Sequence, residues 1–466
     1  MDSMKNSLFI DWLSKAGLMA KDYQIDGLKK LIHLEEHNDS AFDKIHGGFL
    51  CDEMGLGKTI QMLGLIYANL KPRTLIVLPN ALLDQWDTEI QRLLGHKPFV
   101  YHGTRKFLPG FDDAMVVLTT YGTLATRTVK GQEIRSKLLD YKWDRVIYDE
   151  AHHLRNRKTG SFHAAKNLNV DIKWFVTGTP AQNKIGDVYS LCDILGISKD
   201  KYYGFDNLKK VAEFFKIART KKDVGIDLPP ANVQTISVDW QTDAELTLAK
   251  DLHSVFDFTQ VDFGNVDLLI QLLTDSHLPA LLRMRQSCIL PSLINPAISA
   301  LVEDGIIDAV SHSSAGLSKM DSIVDHIISR SGDGDNKIVF CHFRDEIRHI
   351  HRRLVEYGID AAFIDGGVSH SKRTAILDST PNVLILQIMT SNEGLNLQKY
   401  NHIYFSSPHW NPSVEDQAIA RAHRIGQLKN VFVYRFVMAG FGQQSLSIDS
   451  YIYSIQHKKR QLRDLF

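Results

Sequence analysis

The chain has 466 residues, of which 44% are hydrophobic and 23% are charged. This length exceeds that of an ordinary single domain and predicts two or three domains with ample apolar core. The 54 basic and 54 acidic side chains cancel, which excludes binding of nucleic acid through bulk positive charge and leaves only a local basic surface for such a contact. The sequence has no apolar run of about 18 residues and no secretory leader, so we expect a protein that is neither secreted nor bound to a membrane.

The first candidate residue is Gln24, near the start of an amphipathic segment that predicts a helix as far as Leu34. Its amide both donates and accepts hydrogen bonds, which suits the two edges of adenine. Taken alone, this glutamine is better explained as an exposed helix residue. The adenine interpretation therefore depends on finding a phosphate-binding loop further along the chain.

A stretch reading GGFLCDEMGLGKTIQ predicts a strand, a glycine-bearing loop and the start of a helix. The first backbone N–H groups of such a helix favour a bound phosphate, and Gly55 and Gly57 permit its close approach. Lys58 would reach the β- and γ-phosphates, and Thr59 would ligate Mg²⁺. The strict phosphate-loop pattern has glycine where this chain has Asp52, so the loop by itself is also compatible with an ordinary strand–turn–helix.

Apolar runs that alternate with helical segments after the loop indicate a parallel sheet with crossover helices. We predict strands at residues 73–79, 114–120, 144–149 and 174–178. In such sheets, ligands bind at the carboxyl ends of the strands. Asp149 and Glu150 end one of these strands, so their carboxylates should emerge beside the phosphate loop. Asp149 would then hold Mg²⁺, and Glu150 would polarise the attacking water.

With these motifs the chain resembles the superfamily-two helicases. The segments DEMGLGKTIQ, TLIVLP, DEAHHLRN and TGTPAQN are similar to those of the Swi/Snf-type DNA-translocating ATPases, and residues 404–427, YFSSPHWNPSVEDQAIARAHRIGQ, resemble that family's most specific signature. The resemblance covers nearly the whole chain and implies an α/β protein with two RecA-like parallel-sheet lobes and a helical insertion between them. It implies an ATP-binding lobe at 1–200, the insertion with a linker at 201–317, and a helicase C-terminal lobe with a closing brace helix at 318–466.

The signature segment predicts a helix that carries Gln417, Arg421 and Arg424 on one face, because these residues are spaced by four and then three positions. Two guanidinium groups aimed at a γ-phosphate would neutralise the charge that develops during its transfer. The residues alone leave open a solvated basic helix face, and the resemblance favours the role of an arginine finger. It also implies that Gly394, in the string EGLNL, belongs to the nucleotide site.

The resemblance implies an ATP-dependent double-stranded DNA translocase, a DNA-dependent ATPase with ATP and Mg²⁺ as cofactors that moves along DNA and remodels or displaces bound protein. DNA contact, largely through backbone phosphates, is expected on the face that carries Pro79, Thr119, Thr120, Thr390 and Ser391. The chain departs from the family at residues 390–392, where TSN stands in place of the usual Ala-Gly-Gly. This departure affects the region that couples nucleotide state to DNA contact in the family.

Two other functions use the same ATP-binding residues and stay open at this point. A strand-separating helicase for DNA or RNA is disfavoured only by the resemblance of the Trp-Asn-Pro and His-Arg-Ile-Gly-Gln strings. A non-catalytic clamp that uses ATP only to grip DNA or protein is disfavoured because Lys58, Asp149, Glu150 and both arginines are intact.

Nothing in the sequence resembles a chromatin-reader domain, a zinc finger or a nuclease. We therefore expect a monomeric motor that takes its target from a separate targeting or nuclease partner. We expect it in the cytoplasm if the gene is bacterial or from a phage, and in the nucleus if it is eukaryotic.

Overall fold

The computed structural model describes residues 2–37, 42, 45–129, 132–178, 185–254, 278–303, 305–306, 316–389, 395–442 and 446–464. The chain divides into two compact units, one formed by residues 1–227 with 461–466 and the other by residues 228–460. Among the described helices, none combines the length and the apolar composition that crossing a bilayer requires.

The first unit is built on a seven-stranded sheet in which all neighbouring strands run parallel. The strands of this unit are β1 (His46–Leu50), β2 (Thr74–Leu78), β3 (Phe99–Tyr101), β4 (Val116–Thr120), β5 (Arg127–Val129), β6 (Gln132–Ile134), β7 (Trp143–Asp149), β8 (Val170–Val176) and β9 (Lys216–Ile217). The sheet order is β3-β4-β2-β7-β8-β1-β9, and β5 and β6 form a separate antiparallel pair. Every residue of β2 and of β4 is buried, as expected where helices cover both faces of a parallel sheet.

The helices of the first unit connect successive strands and cover the sheet. They are α1 (Asp2–Lys15), α2 (Asp22–Glu36), α3 (Lys58–Ala68), α4 (Leu83–Leu94), α5 (Tyr121–Leu124), α6 (Gly160–Asn167), α7 (Ile185–Leu195), α8 (Lys199–Tyr202) and α9 (Phe205–Phe215). In α4, Trp86, Ile90 and Leu93 recur at helical spacing and are buried, so one face packs on the core while the other meets solvent. The helix ends at Gly95, whose φ of +61° suits a residue without a side chain.

The second unit repeats this architecture with a six-stranded parallel sheet. Its strands are β10 (Ala231–Val238), β11 (Lys337–Cys341), β12 (Ala361–Ile364), β13 (Val383–Gln387), β14 (His402–Phe405) and β15 (Val431–Met438), in the order β10-β15-β14-β11-β13-β12. Its helices are α10 (Asp243–His253), α11 (Leu278–Ile289), α12 (Ile298–Glu303), α13 (Ser318–Ile328), α14 (Arg344–Glu356), α15 (His370–Ser379), α16 (Pro412–Ala422) and α17 (Ile448–Asp464), which belongs to this unit as far as residue 460. The predicted α/β class with two parallel sheets is confirmed.

The interval 201–317 differs from its prediction, because the sequence indicates only helices there. Lys216–Ile217 is a strand that pairs with β1, and Ala231–Val238 is a strand that pairs with β15. The first strand is only two residues long. The second has seven of its eight residues exposed or half-buried, so it carries no apolar alternation by which a strand is recognised. The division between the two compact units falls at Asp227 and Leu228, inside this interval.

Candidate nucleotide site

The phosphate loop follows β1 and leads directly into α3, as predicted. Gly55 and Gly57 have φ values of +93° and +77°, a left-handed conformation that strains any residue with a Cβ atom. Lys58 is the first residue of α3, and its Nζ atom donates a hydrogen bond to the backbone oxygen of Asp52 at 2.8 Å. Thr59 lies in the same first turn and is half-buried. The loop therefore presents a lysine, a hydroxyl and a helix N-terminus together.

The end of β8 lies beside this loop, because β8 and β1 are neighbours in the sheet. The Thr177 N–H donates to the oxygen of Leu50 at 3.1 Å. A Cβ atom added to Gly178 would lie 3.5 Å from Lys58 Nζ and 3.3 Å from Met54 Cγ. Glycine at this position keeps the space next to the lysine ammonium open. The rest of the predicted TGTP motif, Thr179 and Pro180, lies outside the described residues.

Asp149 ends β7 and is held by three hydrogen bonds. The indole Nε1 of Trp86 donates to Asp149 Oδ2 at 2.7 Å, and the backbone N–H of Glu150 donates to Oδ1 at 3.0 Å. The hydroxyl of Tyr121 donates to the Asp149 backbone oxygen at 2.6 Å. Burial, with the Glu150 charge, raises the pKa of the Asp149 carboxyl to about 6, while Trp86 and the charge of Lys58 act to lower it. The predicted partners Lys58, Asp149 and Glu150 thus belong to one electrostatic site.

Glu150 differs from Asp149 in exposure and in backbone conformation. Its φ of +50° is unusual for a residue with a side chain, and such a conformation costs about 1–3 kcal/mol and persists only where the surroundings fix it. The Glu150 side chain is 24% exposed, and its Oε2 atom lies 3.3 Å from Nδ1 of His152, whereas Asp149 is buried. A carboxylate that solvent can reach, next to one that it cannot, suits a group that acts on water beside a group that holds a cation.

Gln24 lies against the phosphate loop and is not the exposed helix residue that the sequence alone favours. It is buried, and its Nε2 atom would lie 2.8 Å from a Cβ atom added to Gly57. Its Oε1 atom accepts from the backbone N–H of Lys21 at 3.4 Å at the start of α2. The side chain is therefore next to the loop, as its predicted role requires, and the adenine contact itself stays a prediction.

Asp52 is placed by the sequence among the nucleotide-binding residues. Its carboxylate is fully buried and accepts from Arg219 Nε at 2.9 Å and from Gln61 Nε2 at 2.9 Å. Both oxygens already accept hydrogen bonds inside the unit, so a direct contact between this side chain and a nucleotide is not supported, and the place of Asp52 in the nucleotide site stays a prediction. Sequence reasoning missed Arg219 because it lies 167 residues away along the chain.

In the second unit, the predicted helix for the arginine pair is shorter than expected. It ends at Ala422, so Gln417 and Arg421 lie on α16 and Arg424 lies beyond it. The prediction that all three share one helix face is therefore wrong for Arg424. The side-chain amide of Gln427 donates to the Ala422 oxygen at 3.2 Å, and this contact satisfies a carbonyl that a longer helix would otherwise bond.

The start of α16 is fixed by Glu415, a residue that sequence reasoning did not single out. Its carboxylate is fully buried and accepts from the His409 N–H at 2.8 Å and from Arg435 Nε at 2.9 Å. The amide of Gln456, on α17, reaches the same carboxylate. This network orients the helix that carries Gln417 and Arg421, and the only signal in the sequence was a pair of adjacent acidic residues inside the signature string.

The structure supports some of the residues predicted to contact DNA less well than others. Thr119 and Thr120 are buried; the hydroxyl of Thr119 donates to the Tyr101 oxygen at 2.9 Å, and that of Thr120 caps α5. A DNA contact through these two hydroxyls is not supported, because both already have partners within the unit. Pro79 is half-buried just after β2 and stays a prediction. The remaining predicted site residues, Thr390, Ser391 and Gly394, lie outside the described residues.

Comparison with known proteins adds family relationships to this geometry. The SNF2-related domain family matches residues 23–202, and the helicase conserved C-terminal domain family matches residues 318–426. The chain is 30% identical over 447 residues to the probable global transactivator of Orgyia pseudotsugata multicapsid polyhedrosis virus, covering 89% of this chain and 85% of the viral protein. It is 27% identical to the ISWI chromatin-remodeling complex ATPase ISW2 of Saccharomyces cerevisiae, covering 90% of this chain but 38% of that protein.

Among solved structures, the chain is similar to the Sulfolobus solfataricus SWI2/SNF2 ATPase core in complex with dsDNA, with 23% identity, 96% coverage of both chains and a TM-score of 0.42. The chain spans between 35% and 50% of the length of the cellular relatives that it matches, such as the DNA excision repair protein ERCC-6-like of Danio rerio and the DNA repair protein rad8 of Schizosaccharomyces pombe. Because the viral relative is matched over most of its length and the two domain families fall on the two sheets, the chain belongs to the Swi/Snf family of helicase-like ATPases.

Proposed function

We propose that this protein is an ATP-dependent double-stranded DNA translocase that moves along DNA and remodels or displaces bound protein. The observation that carries the proposal is the meeting of Lys58, Asp149 and Glu150 at the carboxyl edge of the first sheet, in a chain of the Swi/Snf family. A lysine at the start of a helix and two carboxylates at strand ends are the groups that phosphoryl transfer to water requires. Gln24, beside the same loop, would contact the adenine.

The residues at this edge suit a magnesium ion bound with ATP. The hydroxyl of Thr59 and the carboxylate of Asp149 are oxygen ligands, which Mg²⁺ prefers. The raised pKa of Asp149 indicates a buried carboxylate whose charge is poorly compensated, and a cation would stabilise its ionised form. Mg²⁺ would there offset phosphate charge, while Lys58 orients the phosphates and Glu150 accepts a proton from the attacking water.

The second unit would complete the reaction with positive charge. Arg421 in the last turn of α16 and Arg424 just after it are the candidates for neutralising charge on the γ-phosphate, with Gln417 and Gly394 as further nucleotide contacts. Because Arg421 lies on a helix and Arg424 lies in a turn, mutation of each residue can test its role separately. Arg421 is held on a helix that the Glu415 network fixes, and Arg424 is held by a turn.

DNA would be bound mainly through its phosphates, on the face that carries Pro79, the backbone at the end of β4, and residues 390–391. Binding of this kind tolerates sequence changes and weakens as the salt concentration rises. We further propose that the motor acts as a monomer and takes its target from a protein partner.

The proposal is tested by measuring phosphate release with and without duplex DNA. We expect duplex DNA to raise ATP turnover, and we expect Lys58→Ala to abolish it. Equal turnover with and without DNA would contradict a DNA motor. Background turnover with good ATP affinity would instead favour the non-catalytic clamp. Unwinding of a forked duplex, without displacement of a third strand from a triplex, would favour a strand-separating helicase.

A further inference from the structure

Three segments of the first unit, far apart in the sequence, meet at the side chain of Arg219. Its guanidinium donates to the carboxylate of Asp52, with Nε at 2.9 Å from Oδ1, and to Gln61 Oε1 at 2.8 Å. It also donates to the backbone oxygen of Tyr23 at the start of α2. The guanidinium is 18% exposed and the Asp52 carboxylate is fully buried. One side chain thus joins the phosphate loop, the first helical turns of α3 and the helix that carries Gln24.

The packing around this junction leaves no room for another side chain. Gly27, on α2, faces it directly: a Cβ atom added there would lie 2.4 Å from Gln61 Oε1 and 2.7 Å from Arg219 Nη2. Real Cβ contacts are not that short, so a side chain at this position would displace the ends of Gln61 and Arg219 from the positions in which they bond to each other. The arginine is therefore held by shape as well as by charge.

The backbone around Arg219 also runs along the phosphate loop. The Cys51 N–H donates to the Ile217 oxygen at 2.6 Å, and the Glu53 N–H donates to the Arg219 oxygen at 2.8 Å. Lys221 donates to the carboxylate of Glu53 through its backbone N–H at 2.7 Å and through Nζ at 2.6 Å. This segment is the last part of the first unit before the chain passes into the second at residue 228. The chain that leaves the unit is thus bonded to the loop on both sides of Asp52.

We propose that Arg219 is a positioning residue for ATP binding, which acts through Asp52 on Lys58. The path is short, because the residue whose carboxylate Arg219 holds is also the residue whose backbone oxygen receives Lys58 Nζ at 2.8 Å. A shift of Asp52 therefore moves the oxygen that orients the lysine ammonium. Asp52 stands in place of the first glycine of the strict phosphate-loop pattern. In this chain its carboxylate attaches the loop to residues 217–221, the segment that leads out of the first unit. The proposal rests on the proposed function only in that the loop binds ATP.

The test compares two variants of this pair with a matched pair elsewhere in the unit. Arg219→Lys keeps the charge but cannot bridge Asp52, Gln61 and Tyr23 at once, and Asp52→Asn keeps the shape but removes the buried charge. The control is Arg145→Lys, since Arg145 forms a fully buried ion pair with Glu35 near the opposite end of β7 from Asp149. The dissociation constant for MgATP is measured by calorimetry, together with the melting temperature of each variant.

We expect Arg219→Lys and Asp52→Asn each to weaken MgATP binding about tenfold, in line with the cost of a small displacement of a positioning group. The control should lower the melting temperature and leave the dissociation constant within about twofold. The double variant should be no weaker than either single variant, because the two side chains act as one unit.

Three results would overturn the proposal. They are unchanged MgATP affinity in both folded variants, an equal loss of affinity in the Arg145→Lys control, or additive losses in the double variant. The measurement contains no DNA, so a motor whose turnover ignored DNA would contradict the proposed function and leave this result standing.

Discussion

Each of the two sheets carries polar groups at its own carboxyl edge, but the groups of the first edge are partly accessible and those of the second are buried. In the first unit, the edge carries a loop with left-handed glycines, an open space beside Gly178 and a partly exposed Glu150. In the second unit, the corresponding edge is filled by buried groups that bond to one another. Glu346 accepts from the His342 N–H at 2.8 Å, and Arg285 donates to the Pro408 oxygen at 2.6 Å.

This difference explains why one parallel-sheet architecture can serve two purposes. Buried polar groups that bond to one another hold a region in place, whereas groups left accessible can bind and react. The second edge ends in the loop before α16, whose Glu415 is bonded on several sides. We infer that the first edge carries the chemistry and that the second holds a helix at a fixed angle.

The largest effect is expected for the accessible carboxylate of the first edge. Glu150→Gln removes the base that accepts a proton from water, so turnover should fall about a thousandfold, while MgATP binding is retained. Phosphate release in single-turnover experiments measures this loss. The matched control is Asp193→Asn on α7, a carboxylate paired with Lys166 at 3.0 Å, which should leave turnover unchanged. A loss of less than tenfold in Glu150→Gln would assign the water-activating role to another group.

At the second edge, the largest expected effect is a decrease in the free energy of unfolding. Glu415→Ala leaves Arg435 buried beside no carboxylate, and breaking a buried pair in this way costs about 3–5 kcal/mol. Asp416→Ala, the neighbouring residue on the same helix, should cost less than about 1 kcal/mol, because its ion pair with Arg460 is partly exposed. Urea unfolding, with hydrogen exchange as the readout, measures the free energy of unfolding of both variants. Equal costs for the two variants would show that the Glu415 network does not fix α16.

A smaller effect with an unusual sign is expected at Gly27. Replacing a glycine inside a helix by alanine ordinarily stabilises the helix by about 0.5–1 kcal/mol. Here the added Cβ atom would meet Gln61 and Arg219, so Gly27→Ala should destabilise the unit by about 1–3 kcal/mol. The thermal unfolding midpoint measures the sign. Gly332→Ala, where no atom lies within 4 Å of the added Cβ, serves as the control, and a rise in the midpoint of Gly27→Ala would contradict the described packing.

The smallest effect is expected from acid, because the second unit contains a buried histidine and a half-buried one whose ring nitrogens accept hydrogen bonds. His253 accepts from the Ile448 N–H at Nε2, 3.0 Å away, and His409 accepts from the Asn411 N–H at Nδ1, also 3.0 Å away. Burial lowers the pKa of both rings to about 4. The unfolded chain takes up these protons near pH 6.5, so the stabilisation is complete above about pH 6.5 and is lost as the pH falls towards 4.

Hydrogen exchange at pH 7.5 and pH 5, corrected for intrinsic rates, checks this expectation. We expect β14 and β15 to lose more protection than β2 and β7 when the pH is lowered from 7.5 to 5. The first unit contributes His153, whose pKa burial also lowers to about 4, so some loss there is expected as well. A larger loss of protection in the first sheet than in the second would contradict the contrast between the two edges.

Sequence reasoning reached the parts of this fold that repeat a strong local pattern. The strands β2, β4, β7 and β8 each contain a short apolar run, and Lys58, Asp149 and Glu150 could be placed because each follows such a run or a glycine loop. The edge strand β10 could not be predicted, because its largely exposed residues show no apolar pattern.

Contacts between segments that are distant in the sequence could not be predicted from local sequence patterns either. The pairing of Arg219 with Asp52 depends on how β9 docks beside β1, and the end of α16 before Arg424 coincides with a hydrogen bond from the side chain of Gln427 to the Ala422 oxygen. The burial of Thr119 and Thr120 depends on the packing of β4 between β3 and β2. In each case tertiary packing, which neither spacing nor composition encodes, decided the outcome.

Displacement of a third strand from a DNA triplex measures translocation itself, because it detects movement along duplex DNA without strand separation. We expect the protein to displace the third strand when MgATP is present, and we expect no displacement by Glu150→Gln, which still binds ATP. No displacement by a protein that hydrolyses ATP in the presence of duplex DNA would contradict translocation.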